Sequence, residues 1–145
     1  MKNAFGIAAI MAILIVSNAS FCADQPDNSE YIIVANKQLQ GTSISMATLK
    51  GIYLREVRNW ASVDSEIVPV DFSAANGFYQ NLFGKSYVQM QAYWLNMRVK
   101  YNVDLPVSRK DAESVKQFIA ANKSAIGFLK NGDADDRVKV LKLLN

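Results

Sequence analysis

Two hydrophobic periods alternate along this chain. Tyr31-Ile32-Ile33-Val34-Ala35 is a compact, β-branched run that predicts a strand, and the polar stretch from Asn36 to Ser43 breaks it. From Ser45, a plausible N-cap, the pattern changes to helical spacing, with Met46, Leu49, Ile52 and Tyr53 on one face of a helix reaching Leu54. Ile67-Val68-Pro69-Val70-Asp71 predicts a second strand, in which Pro69 suggests an edge or a strand start. Ser73 then offers a cap for a helix through Phe83, stopped by Gly84, and Ser86 offers a cap for the next. In that helix Met90, Trp94, Met97 and Tyr101 follow the spacing of a buried face. Ser108 and Asp111 resemble a capping box for a helix through Asn122 with Ala112, Val115, Phe118 and Ile119 inward. Two strands follow, Ala125 to Leu129 and Val138 to Leu143. Strands separated by helices predict an α/β domain with a mixed or parallel sheet.

The start of the chain carries a different pattern. Lys2 precedes an apolar run from Ala4 to Val16, followed by Ser17, Asn18, Ala19 and Ser20, which is the three-part layout of a secretory signal peptide. The run is shorter than the ~20 apolar residues a membrane span needs, and no later segment approaches that length. The sequence therefore predicts a signal peptide over residues 1–23 and a single exported domain over residues 24–145, opening with a polar lead from Asp24 to Glu30. Cleavage after Ala19 places small residues at both preferred positions, whereas cleavage after Ala23 places Phe21 at one of them. Phe21 also disfavours lipid processing at Cys22, the only cysteine. A lone cysteine forms no internal disulfide, so stability is expected from a packed core.

Composition narrows the chemistry. The formal charge of +3 falls to +2 without Lys2, and the basic residues are scattered, which argues against a nucleic-acid partner. There is no histidine in the 145 residues, which removes the commonest general base and metal ligand and the usual serine triad. Asp64, Glu66 and Asp71 are close enough in sequence for carboxylate chemistry to be considered, but nothing marks a pocket around them. Phosphate-loop and dinucleotide glycine patterns are absent. The expectation is a non-enzyme with no cofactor and no metal site.

One segment suggests binding. Val70 to Gly77 leads from a strand directly into a helix N-terminus, where free backbone N–H groups and the helix dipole favour an anion. The candidate ligand-binding residues are Asp71, Phe72, Ser73, Asn76 and Gly77. Their alternative reading is structural, with Ser73 as a plain cap and Asp71 repelling an anion.

The order of the motifs resembles a known family. Leu49-Lys50-Gly51-Ile52-Tyr53-Leu54 with Trp60, then Ile67-Val68-Pro69-Val70-Asp71, then Ala125-Ile126-Gly127-Phe128, is similar to the periplasmic phosphate-binding components of phosphate ABC transporters, and especially to their short single-lobe relatives. The resemblance extends from Tyr31 to Leu141. It implies a single lobe of a periplasmic-binding-protein-like fold, a mixed sheet covered by helices, a periplasmic location and a role related to transport. The family wraps phosphate with an Arg-Ser-Asp-Gly-Ser-Gly-Thr turn. Here Ser73 and Gly77 match, but Phe72 replaces the arginine, Ala74-Ala75-Asn76 replace the central Asp-Gly-Ser, and Phe78 replaces the threonine. Without the arginine the bidentate, charge-assisted contact is lost. Phosphate is accordingly expected to bind weakly or not at all, with Phe72→Arg restoring charge. The leading expectation is an accessory binding or sensory component. The alternative is a ligand-free module docking through Phe72 and Phe78, as exposed aromatics, onto an envelope complex, transporter or sensor. Gly127 is expected to admit close backbone approach and Trp60 to cover the end of the first helix.

Overall fold

A computed structural model describes residues 31–61, 64–73 and 76–145. The expected signal peptide, its cleavage point, Cys22 and the polar lead lie outside the described residues. Six strands form one mixed sheet in the order β2-β6-β1-β5-β3-β4. β1 (Tyr31–Ala35) runs antiparallel to both of its neighbours, β5 (Ala125–Lys130) and β6 (Lys139–Leu144). β3 (Val68–Phe72) lies parallel to β5 and to the edge strand β4 (Val107–Arg109), and β2 (Ser43–Ser45) lies parallel to β6 at the opposite edge. The four strands expected from sequence therefore share a sheet, in an α/β fold. β2 and β4 were not expected, because three residues are too few for a two-residue period to register.

Helix α1 (Met46–Tyr53) starts as its sequence predicts, with Ser45 Oγ accepting from the Thr48 N–H. Its inward residues Leu49, Ile52 and Tyr53 are fully buried. α3 (Tyr87–Tyr101) opens with a reciprocal capping box between Ser86 and Gln89. Met90 and Trp94 are buried as expected, but Met97 is only half-buried and Tyr101 is 65% exposed. The apolar spacing there outruns the surface available to it, since the last turn of α3 projects past the core. α4 (Ala112–Ala121) is capped three residues later than the sequence reading placed it: Asp111 accepts from the Ser114 N–H at 2.7 Å. Ser108 belongs instead to β4, opposite Asp71.

The two faces of β5 show how the core is divided. Gly127 turns toward α4, where an added Cβ would lie 3.0 Å from Ile119 Cδ1 and 3.2 Å from Val70 Cβ. The neighbours it admits are side chains rather than backbone. Phe128 points to the opposite face, into an aromatic cluster drawn from α1, α2 (Asn76–Phe83) and β1: it stacks on Phe78 and meets Tyr31, Tyr53 and Tyr79 edge-on. Alternation along one strand thus sends α4 to one layer and α1, α2 and α3 to the other. Trp94 Nε1 donates to the Tyr53 carbonyl at 2.7 Å, and Tyr53 Oη to the Val70 carbonyl at 2.9 Å, linking α3, α1 and β3. Trp60 is half-buried and donates to the Ser124 carbonyl between α4 and β5. Pro69 lies near the start of β3, where the strand pairs only with β5 and its other side is open before the β4 ladder begins at Val70, so it marks a strand start that is locally an edge.

Candidate functional site

The end of β3 and the start of α2 bring the five candidate residues to one place without giving them one role. Asp71 and Phe72 complete the strand and are 2% and 6% exposed. Ser73 and Asn76 are exposed and Gly77 is half-buried, with α2 beginning at Asn76. The Ser73 N–H donates to the Arg109 carbonyl of β4 at 3.4 Å, and Asn76 Oδ1 accepts from the Tyr87 N–H at 2.9 Å, which ties α2 to the first turn of α3.

Asp71 is the polar centre of this region. Tyr79 Oη donates to Oδ1 at 2.5 Å and Tyr87 Oη donates to Oδ2 at 2.7 Å, so each carboxylate oxygen accepts from one tyrosine. Burial followed by contact with Asp71 pushes the Tyr87 hydroxyl above its ordinary ionisation range. Burial is also the main cause for Tyr79, which is raised well above its ordinary value, with Tyr53 and Asp71 adding to the effect. A buried carboxylate needs such donors to offset its desolvation. Beside it opens a cleft of about 280 Å³, lined by Asp71, Tyr87, Gln91 and Ser108 on the polar side and by Trp94, Leu95, Leu105 and Pro106 on the apolar side. The only formal charge among these lining residues is the negative one of Asp71.

Phe72 and Phe78 do not form an exposed rim. Phe78 is 5% exposed and stacks on Phe128, with centroids 3.7 Å and planes 8° apart, and Phe72 lies tilted against the same ring. The expectation that these two aromatics present a docking edge is corrected: both turn inward because Phe128 gives them an apolar partner. Phe72→Arg is equally corrected as a means of restoring a phosphate contact, since it would place a guanidinium in the core. The carboxylates also separate. Glu66 pairs with Arg55 at 2.9 Å at the entrance to β3, whereas Asp71 is near its end, roughly 17 Å away along an extended strand.

A second cleft, of about 360 Å³, lies at that entrance and includes Arg55, Glu66, Arg98 and Asp104. Arg55 follows α1 with φ of +61° and is buried, donating to Glu66 and to the Ile67 carbonyl. Burial lowers its proton affinity and Glu66 opposes that. Sequence reading missed both Arg55 and the Tyr79–Asp71–Tyr87 group. An aspartate inside the apolar run of β3 was the available signal for the second, since it demanded buried donors. Among the described residues no three His, Cys, Asp or Glu side chains are grouped to hold a metal ion, and no helix is long and apolar enough to cross a membrane.

No family model and no curated protein matches the chain by sequence. Solved structures do match its fold. An ABC-type phosphate transport receptor from Vibrio cholerae superposes with a TM-score of 0.56 at 21% identity, over 78% of this chain and 45% of the receptor. PstS from Borrelia burgdorferi gives 0.57 at 18%, over 78% and 46%. A protein from Clostridium perfringens described as a phosphate ABC transporter substrate-binding protein, with bound phosphate, gives 0.56 at 19%, over 78% and 44%. The chain spans less than half the length of these proteins. Its fold is that of a lobe of a periplasmic-binding-protein-like structure.

Proposed function

We propose that the chain is an accessory binding or sensory component of the periplasm, not an enzyme, built on one lobe of a solute-binding fold and carrying a weakened anion site at Ser73, Asn76 and Gly77. The observation that carries this reading is the division at the end of β3. Ser73 and Asn76 stay exposed next to a helix start, whereas Asp71 and Phe72 are drawn into the core. The junction's own residues offer neutral donors, the guanidinium of Arg109 opposite Phe72 is laid over the Phe118 ring, and the nearest buried carboxylate disfavours an anion. A neutral hydrogen bond exposed to water contributes only about 0.5–1.5 kcal/mol, so four such bonds give ~2–6 kcal/mol before the ion is immobilised. Affinity for phosphate is therefore millimolar or weaker. Calorimetric titration of the exported form with phosphate and sulfate tests this. Heats that fit a millimolar constant, or none, support the reading, and a micromolar constant for phosphate would refute it.

The second reading, a module that docks onto an envelope protein complex, transporter or sensor, is favoured by a separate observation. Val88, Leu95 and Val99 of α3 are all more than half exposed. A cluster of large apolar side chains on one helix suits a protein contact better than isolated apolar residues do.

A further inference from the structure

We infer that the outer stripe of α3 is a docking surface for an acidic, amphipathic segment of another protein. The inference rests on the docking reading above and gives it a place and a chemistry. Val88, Ala92, Leu95 and Val99 recur at steps of four, three and four residues, which gathers them within about 60° of the helix circumference. Val88 is 71% exposed, Leu95 58% and Val99 79%. The opposite side of α3 is already committed to the core through Met90 and Trp94. The helix is thus apolar on two opposed faces, and only one is covered.

The rim of the stripe selects the partner. Arg98 flanks it on one side and Lys100 on the other, accompanied by the exposed amides of Gln89, Gln91 and Asn96. No aspartate or glutamate occurs between Tyr87 and Tyr101. The two cations suit the helix C-terminus, and their positions place a basic side chain on each border of an apolar strip about 17 Å long, Lys100 on one and, on the other, Arg98, which shares its cleft with Arg55, Glu66 and Asp104. Carboxylates flanking a three-turn apolar face complement it. A second copy supplies none: antiparallel pairing sets the cations against the first-turn amides, and parallel pairing sets them against each other. An anionic bilayer needs more apolar area and a wider basic face than four aliphatic side chains, one of them only an alanine, and two cations provide. The cleft floored by Trp94 and bounded by Leu95, Leu105 and Pro106 adjoins the stripe and offers a seat for one apolar anchor of the partner.

Photo-crosslinking in the native cell tests the inference. The full chain would carry benzoylphenylalanine at Val88, at Val99, or at exposed Gln117 on α4 as a control, and the crosslinked peptides would be sequenced by mass spectrometry. The expected result is one protein captured from positions 88 and 99 but not 117, through a segment whose apolar positions are flanked by Asp or Glu. Leu95→Glu in the same chain should cut that yield at least tenfold with an unchanged melting midpoint, while Leu95→Met should retain it. Crosslinks to a second copy, lipid adducts alone, or a captured segment without carboxylates would overturn the inference. Capture from position 117 alone would place docking elsewhere and keep the broader reading, whereas no protein captured from any position would remove both.

Discussion

Tyr79 and Asp71 stand eight residues apart in sequence and 2.5 Å apart at their oxygens, one at the end of a core strand and the other in the helix that follows it. With Tyr87 on the second oxygen, the arrangement makes the carboxylate a fixed part of the core. Asp71→Asn should remove two of the causes that raise the Tyr87 hydroxyl and bring its ionisation closer to the ordinary tyrosine value of 10.0. Spectrophotometric titration of tyrosinate checks this against the unmodified protein. Asp71→Ala should destabilise the fold by about 1–3 kcal/mol for each hydroxyl left buried without an acceptor. Chemical denaturation measures that cost, and a loss below about 0.5 kcal/mol would contradict the role given to Asp71.

Alkaline pH should weaken the same region. Burial first, then Asp71, raises the Tyr53 hydroxyl well above 10.0, and burial raises Tyr79 likewise. A group whose folded value is raised contributes in full below its unfolded value and loses that contribution as pH climbs toward the folded one. The melting midpoint should therefore hold up to about pH 10 and decline above it. Tyr79→Phe should reduce the decline.

On the acid side the relevant cluster is on the surface. Arg137 donates to both Glu113 and Asp135, and Lys116 pairs with the same carboxylates. Glu113 is held at about 2, against an ordinary 4.5, chiefly by its hydrogen bond from Arg137. A depressed carboxylate contributes above its unfolded value and loses that contribution as pH falls through the folded one. Melting midpoints should drop between pH 4.5 and 2, and Arg137→Gln should flatten that slope. Because the cluster is exposed, high salt should flatten it too.

Gly127→Ala should overpack the contact between β5 and α4. The new methyl would meet Ile119 at 3.0 Å and Val70 at 3.2 Å, and crowding of this kind costs about 1–3 kcal/mol. Ile119→Val removes the nearer atom, so the double variant should be less destabilised than the two single losses added together. Additive losses would show that the clash is relieved elsewhere.

The legible part of the fold was the part written in long periods. β1, α1, β5 and the capped start of α3 each carry several side chains repeating a side preference, and each formed where its pattern ends. Ser43–Ser45 and Val107–Arg109 carry one or two such positions, and only their neighbours β6 and β3 make them strands. The cap of α4 slipped from Ser108 to Asp111 because serine and aspartate three apart fit the motif in either role, and only pairing with Asp71 commits Ser108 to the sheet. At the candidate site, sequence located the junction but not the direction its side chains take. Phe72 and Phe78 could face solvent or core until Phe128 is known to lie beneath them.

The order of the sheet also determines when the protein can fold. β1, the first strand described, takes one neighbour from Ala125–Lys130 and the other from Lys139–Leu144. Both lie far downstream of it in the chain, so until they are made nascent β1 has exposed edges on both sides and no native strand to pair with. The sheet closes in a late, non-local step whose loop-closure entropy precedes any native pairing. A ribosome stalled before Lys139 would hold a chain with helices able to flicker but without its central three strands joined, and therefore one still flexible enough to be threaded through a narrow pore.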